Sequence, residues 1–268
     1  MKGFKAFNKG MICLGKQYAE NTVFEEPEAI ICCKGMHFCK NPFDVLDYYP
    51  LIDDNGNFPD FAVVEALDEP VTDDNKKFCS KKLKIGAKLS FANFIEAAAS
   101  FEFEKTENDK KSNVIGNSGD SAQIGSSGNY AQIGSSGDSA QIGSSGDSAK
   151  IGSSGNYAQI GSSGNYAKIG SSGYYAKIGS SGNYAQIGSS GNYAKIASKG
   201  KYAVICCAGQ DSIAKGKIGS WITLSEWKYS DIEHANIPVC VKTEKIDGIR
   251  IKADTFYKLV NGKFVEVK

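Results

Sequence analysis

Apolar residues return along the middle of the chain every nine positions, with isoleucine at 115, 124, 133, 142, 151, 160, 169, 178, 187, 196 and 205. The unit around each reads I-G-S-S-G-[ND]-[YS]-A-[QK]. A period this short marks a solenoid, because one unit is too small to bury an apolar face alone and must stack on its neighbours. No helical period keeps Ile and Ala on one face, and two glycines per unit would unravel a helix. Residues 129–133 (NYAQI) alternate polar and apolar, which predicts a short strand. Ala131 and Ile133 then face inward, Tyr130 and Gln132 outward. Gly-Ser-Ser-Gly supplies the corner, its glycines free to take positive φ. Two units, eighteen residues, make one flattened coil with two strands and two turns. A triangular coil of three units is the other arrangement the spacing allows. In the two-unit form, about five coils at ~4.8 Å per rung give a rod of roughly 25 Å.

The flanks carry other patterns. Residues 1–105 alternate strand-like and helix-like segments, an α/β domain. Strands are predicted at 4–7, 29–33 (AIICC), 61–66 and 82–85. Asn41-Pro42 predicts a short helix over 43–49, with Asn as cap, Pro at the first helical position, and Asp44 and Asp47 on its solvated face. Ser90 caps a second helix from 91 to about 103, a candidate to cover the first rung of the solenoid. Residues 106–114 are charged and polar, a linker. The solenoid runs over 115–214. Residues 215–268 form a β-rich cap, with strands at 221–224 and 239–241 and a hairpin turning on Asn261-Gly262. An open last rung would be a sticky edge, so capping is the expected role of this region. The fold class is mainly β: a β-solenoid of nine-residue repeats between an α/β domain and a β-rich cap.

Tyrosine holds the outward position from unit to unit. In an eighteen-residue coil Tyr157, Tyr175 and Tyr193 stack on one face, and Tyr130, Tyr166, Tyr184 and Tyr202 on the other. Gln or Lys follows two residues on, including Lys150, Lys168, Lys177 and Lys195. Tyrosine rows are effective contact surface, since each ring buries area at low entropic cost and offers a hydroxyl. The candidate binding residues are Tyr157, Tyr166, Tyr175, Tyr184, Tyr193 and Tyr202, with the four lysines. Such ladders also brace a solenoid that binds nothing. The lysines open nucleic acid as an alternative partner. Calcium-binding nonapeptides resemble G-G-x-G-x-D-x-U-x, but here the sixth position holds Tyr or Ser, and acids stand only one place earlier, at Asp120, Asp138 and Asp147. No calcium site is expected.

Composition narrows the classes. A net charge of +1 is too balanced for a dedicated polyanion binder or for a DNA mimic. No stretch approaches the ~20 apolar residues of a membrane span. The first residues, MKGFK, lack the apolar run of a secretory signal, so an intracellular protein is expected. None of the eight cysteines forms a CxxC pair, and reduced thiols are the expectation. The doublets 32–33 and 206–207 suit strands with one thiol inward. Cys33, His37 and Cys39 are spaced too loosely for zinc and lack a fourth ligand. His37 and His234 are the only histidines, and the GSSGN runs are turns, not a phosphate loop. No catalytic residue, metal or cofactor is assigned, and an enzyme is the less favoured class. His37 is read as a core residue.

Residues 2–8 (KGFKAFN) and 34–50 (KGMHFCKNPFDVLDYYP) resemble an uncharacterised family of bacteriophages and prophages of Gram-positive bacteria. Residues 216–227 (GKIGSWITLSEW) and 254–264 (DTFYKLVNGKF) are similar to the same family. The resemblance implies a phage-related origin and action in the host cytoplasm, and brings no activity. With it, the tyrosine and lysine rows lead to the expectation of a host or defence protein as partner, which the solenoid inhibits. A shorter resemblance links Gly35-Met36-His37-Phe38, the helix ending in Tyr48-Tyr49, and residues 61–67 to the core of ADP-ribosyltransferases. It implies an N-terminal enzyme with Glu65 as its formal acid. Lys2 and Lys5 stand where that superfamily carries Arg or His. A structural or oligomerisation rod is the third reading.

Overall fold

The computed structural model describes residues 1–53, 57–105 and 114–267. The expected linker lies outside these residues, apart from Val114. The chain divides into two compact units, Met1–Phe101 and Glu102–Lys268.

The first unit is built on an antiparallel sheet. Its elements in chain order are β1 (Lys2–Phe7), β2 (Ile12–Cys13), β3 (Lys16–Gln17), β4 (Thr22–Glu25), β5 (Met36–Cys39), β6 (Asp60–Ala66), β7 (Lys77–Ser80), β8 (Lys82–Leu89) and the helix α1 (Phe91–Lys105). The six-stranded sheet runs β4-β8-β6-β1-β5-β7. β1 lies at its centre, paired to β6 from Lys2↔Glu65 to Phe7↔Asp60 and to β5 at Phe4↔Cys39. Ser90 caps α1 as expected, its hydroxyl accepting from the Asn93 N–H at 3.1 Å. The helix packs Phe94 flat on Phe61 of β6, centroids 3.7 Å apart.

Two N-terminal expectations need correction. Residues 29–33 are not a strand but a tight turn closed by the Ile30↔Lys34 bridge, with Cys32 at φ 60° and both Cys32 and Cys33 exposed. Cys32 and Cys33 border the cleft described below. The helix after Pro42 is a 3₁₀ turn over Phe43–Asp47. Asn41 still serves its start, Oδ1 accepting from the Phe43 N–H at 3.0 Å. Asp44 is buried instead of solvated, because the short turn presses its first residues into the core.

The second unit opens with the solenoid, two units to the coil. Strands starting at residues 114, 132, 150, 168, 186, 204 and 221 stack in parallel as one sheet (sheet I). Those starting at 123, 141, 159, 177, 195 and 213 form the opposing sheet II. Registers step by eighteen residues, as in Ile151↔Ile169 and Ile160↔Ile178. Ile and Ala columns fill the core, nearly all of them under 5% exposed. Ile222 and Leu224 carry the columns past the repeats by pairing with Ile205 and Cys207. The strand Trp221–Ser230 thus serves as last rung of the parallel stack and pairs on its other side, along its whole length, with the antiparallel strand Ala235–Lys245. The hairpin at Asn261-Gly262 forms as expected, both residues at positive φ, and Tyr257 of its first strand pairs with Ala214 to finish sheet II.

The strand itself is displaced from its expected place. It spans the Gln/Lys-Ile-Gly-Ser segment, for example Gln132–Ser135, and the turn is Ser-Gly-Asx-Tyr. The Tyr/Ser position therefore lies in the corner. None of the repeat glycines has positive φ; the left-handed residue is the tyrosine or serine. The second glycine of each unit is required for a different reason. A Cβ on Gly155 would lie 1.9 Å from the Gly137 carbonyl oxygen of the coil below. The Asx residue holds the corners in register: Asp138 Oδ1 accepts from the Asn156 N–H at 2.7 Å, and Asn165 Oδ1 from the Asn183 N–H at 3.0 Å. That ladder gives the acids at this position a structural use.

Inside each strand the serine also faces the core. Ser144, Ser162 and Ser180 are wholly buried with hydroxyls that find no hydrogen-bond partner. An unsatisfied buried hydroxyl costs about 1–3 kcal/mol of desolvation. Ser162→Ala is therefore expected to leave the thermal unfolding midpoint unchanged or raised, and a fall of several degrees would contradict this packing.

Candidate functional site

The solenoid presents its tyrosines along its two edges, where the chain crosses between sheets. Tyr157, Tyr175 and Tyr193 lie on the edge from sheet I to sheet II, Tyr166, Tyr184 and Tyr202 on the opposite edge. Ring centroids step 5.3 and 4.8 Å along the first row and 5.0 and 5.5 Å along the second, with interplanar angles from 2° to 21°. These six rings are 40–58% exposed.

Their backbone is unusual. All seven tyrosines at this position, Tyr130 included, have φ between 56° and 60°. An L-residue in the left-handed region is disfavoured by roughly 1–2 kcal/mol, and a bulky side chain is seldom found there. Ser121, Ser139, Ser148 and Asp211 hold the same turn at φ 53–58°. The turn therefore does not depend on an aromatic ring.

The four candidate lysines do not join the tyrosine rows. Lys150 and Lys168 are exposed on the outer face of sheet I, beside Gln132 and Gln186. Lys177 and Lys195 belong to sheet II and are half-buried, Lys195 with its Nζ 5.9 Å from the Phe256 ring. Alternation along the strand, with the tyrosine moved into the corner, puts the two kinds of residue on different surfaces. Between the Gln/Lys row and solvent, sheet I exposes a bare column at Gly134, Gly152 and Gly170, where an added Cβ meets nothing within 4 Å. A shallow groove follows that column.

The first unit holds a cleft of about 850 Å³ that the repeat pattern gave no reason to expect. β1, β5 and the turn at residues 30–34 line it, with Tyr18, Tyr48 and Tyr49 among its walls. Lys5 lies at its base, 5% exposed, its Nζ donating to the His37 carbonyl at 2.7 Å and facing the rings of Phe7 and Tyr18. Tyr49 donates its hydroxyl to Cys13 Sγ at 3.1 Å, and His37 Nε2 accepts from the Cys32 N–H at 3.0 Å. His37 is thus half-buried at the cleft wall, not a core residue. Burial, with the charges of Lys5 and Lys77 adding to it, keeps its imidazole below its ordinary pKa. Burial likewise lifts the Tyr18 phenol to about 12 and the Cys39 thiol to about 12, the latter helped by Asp44 and Asp47. Burial lowers the Lys5 amine below its ordinary 10.5, against a smaller opposing effect of Cys13. Glu65, the formal acid of the transferase resemblance, lies on β6 opposite Lys2, outside the cleft.

The depressed Lys5 has a stability consequence. The unfolded chain holds this proton more tightly than the folded one, so stability rises with pH through the window below 10.5. Lys5→Met is accordingly expected to raise the melting temperature at neutral pH, with a gain that shrinks as the pH approaches that of an ordinary lysine. Melts of both proteins across that range measure it; a constant difference, or a loss at neutral pH, would refute the assignment.

The alternation K-G-F-K-A-F in β1 carried the one available signal for this site, a lysine on the same strand face as Phe7. Residues 1–97 match the model of a family described as a domain of unknown function, DUF7666. The match takes in the sheet and the cleft and stops before the solenoid. No curated protein and no solved structure matches the chain.

Proposed function

We propose that this protein is a binding protein whose solenoid edges engage a macromolecular partner through stacked tyrosines. One observation carries the reading: seven tyrosines occupy a strained left-handed turn that serine and aspartate fill elsewhere in the same solenoid. The scaffold does not require the ring at that position, whereas a contact surface does. The separation of the lysines onto opposite sheet faces weighs toward a protein partner, since a nucleic-acid groove needs cations tracking beside the rings. Resemblance of both flanks to phage and prophage proteins favours a host or defence protein in the host cytoplasm. The transferase alternative is weakened by the position of Glu65. The rod alternative has in its favour only the stacking itself.

Affinity capture from a nuclease-treated Gram-positive lysate tests this, with a variant carrying Tyr157, Tyr166, Tyr175, Tyr184 and Tyr193 changed to Ser as control. A stoichiometric protein held by the native chain and lost by the variant is expected. Equal catches, or a catch that disappears with nuclease treatment, would overturn the proposal.

A further inference from the structure

The cleft of the first unit stands independently of the solenoid, and its base poses a chemical question. Lys5 is an almost fully buried amine whose hydrogen bonds go to the neutral His37 carbonyl and to the Cys13 side chain, not to a carboxylate. Among the described residues no carboxylate lies within ion-pair distance of it. A buried ammonium is normally paired, because a lone one loses its hydration without recompense. A lysine that serves only packing would be replaced by methionine at no loss. The rim repeats the imbalance. Lys16 pairs with Glu26 and Lys34 with Glu28, while Lys77 lies 4.7 Å over the Tyr48 ring and donates to Cys32 Sγ. Four lysines thus face two glutamates, a surplus of two positive charges (4 − 2) in a cleft with aromatic walls.

The geometry points to a site for a small organic anion with a flat apolar body, its carboxylate or phosphate paired with Lys5 and its body between the tyrosines. The arrangement matches the usual form of a small-molecule site, mostly apolar walls with a few convergent polar groups. The anion supplies the missing counter-charge, and the ring faces of Tyr18, Tyr48 and Tyr49 offer it stacking surface. The titratable groups that face Lys5 are Cys13 from β2, Tyr18 after β3, His37 and Cys39 from β5, and Cys79 from β7, none of them a carboxyl group. A bound anion favours the charged form of Lys5, so affinity falls as the pH rises towards the range in which lysine loses its proton.

The test is calorimetric titration of the full chain with benzoate, phenyl phosphate and the neutral benzamide, at neutral pH and at a pH near the ordinary lysine value. At least one anion is expected to bind at millimolar concentration at neutral pH and more weakly at the higher pH, benzamide at least about tenfold more weakly, and Lys5→Met to lose the anion by at least about tenfold. Benzoate against phenyl phosphate distinguishes the two headgroups. No binding of either anion, benzamide binding equally well, or undiminished binding by Lys5→Met would each overturn the inference. The benzamide comparison and the pH dependence use the native chain, so they decide even if the variant does not fold.

Discussion

Gly155→Ala is expected to destroy the folded solenoid, while Gly152→Ala, three residues earlier, leaves it intact. The two glycines belong to the same repeat and look alike in sequence. At Gly155 a Cβ would stand 1.9 Å from the carbonyl oxygen and 2.5 Å from the carbonyl carbon of Gly137. Both are backbone atoms held by the ladder, so neither can turn aside as a flexible side chain does. Relief requires adjacent coils to part, breaking the serine and Asx hydrogen bonds that flank the corner, such as Ser154 N–H to the Ser135 carbonyl. Overpacking of this kind costs roughly 3 kcal/mol or more. The same overlap recurs at Gly137, Gly146 and Gly164, all within 2.0 Å, so the clash is a property of the coil stacking. Gly152 sits in a strand facing outward with nothing within 4 Å of a new Cβ. The column already accepts a side chain at Cys206, in register with Gly188. Loss of glycine freedom in the unfolded chain then adds about 0.4–1 kcal/mol of stability. Circular dichroism and urea unfolding of the two variants read the difference directly; equal effects would mean the coils are stacked differently.

The second large effect concerns binding, and it separates the two edges. Changing Tyr157, Tyr175 and Tyr193 to Ser clears one edge, and changing Tyr166, Tyr184 and Tyr202 to Ser clears the other. The edges lie at opposite ends of each flattened coil, so one compact partner meets one of them. Central aromatic residues of an interface commonly cost 2 kcal/mol or more on truncation, though not additively. One triple variant is therefore expected to weaken the captured partner by about 100-fold, ~3 kcal/mol, and the other by only a few-fold. Surface plasmon resonance with the immobilised solenoid protein measures both. Native affinity in both triple variants would remove the tyrosines from the interface.

What the sequence disclosed and what it hid follow from the same repeat. A strict period of nine with Ile and Ala at fixed places leaves little freedom in the core, and of the two coils it allows the chain forms the eighteen-residue one. The hairpin at Asn261-Gly262 and the Ser90 cap were legible because each depends on local backbone chemistry. The position of the tyrosine was not. In Asn-Tyr-Ala-Gln-Ile the alternation fits a strand and a corner equally well, and a tyrosine favours the strand by propensity. The better signal was that Tyr130, Ser139 and Asp211 share one position, a mixture that suits a left-handed turn more than a sheet. Glycine offered the same ambiguity, since a residue needed for close approach and one needed for positive φ are written identically. In the first unit, residues 29–33 are apolar enough for a strand, yet Ile30 is 46% exposed and Cys32 takes a left-handed turn, with Cys32 and Cys33 at the cleft. No local pattern marks a cleft assembled from β1, β5 and distant turns.

The central claim is that the tyrosine rows are surface and not scaffold, and thermal unfolding of the variant with Tyr157, Tyr166, Tyr175, Tyr184 and Tyr193 changed to Ser tests it most directly. Loss of the stacked pairs removes about 0.5–1.5 kcal/mol each, partly offset by easing bulky residues out of the left-handed turn. The account predicts an unchanged β spectrum and a cooperative melt lowered by no more than about 10 °C. A variant that has lost its β spectrum, or no longer unfolds cooperatively, would show instead that the rings hold the solenoid together.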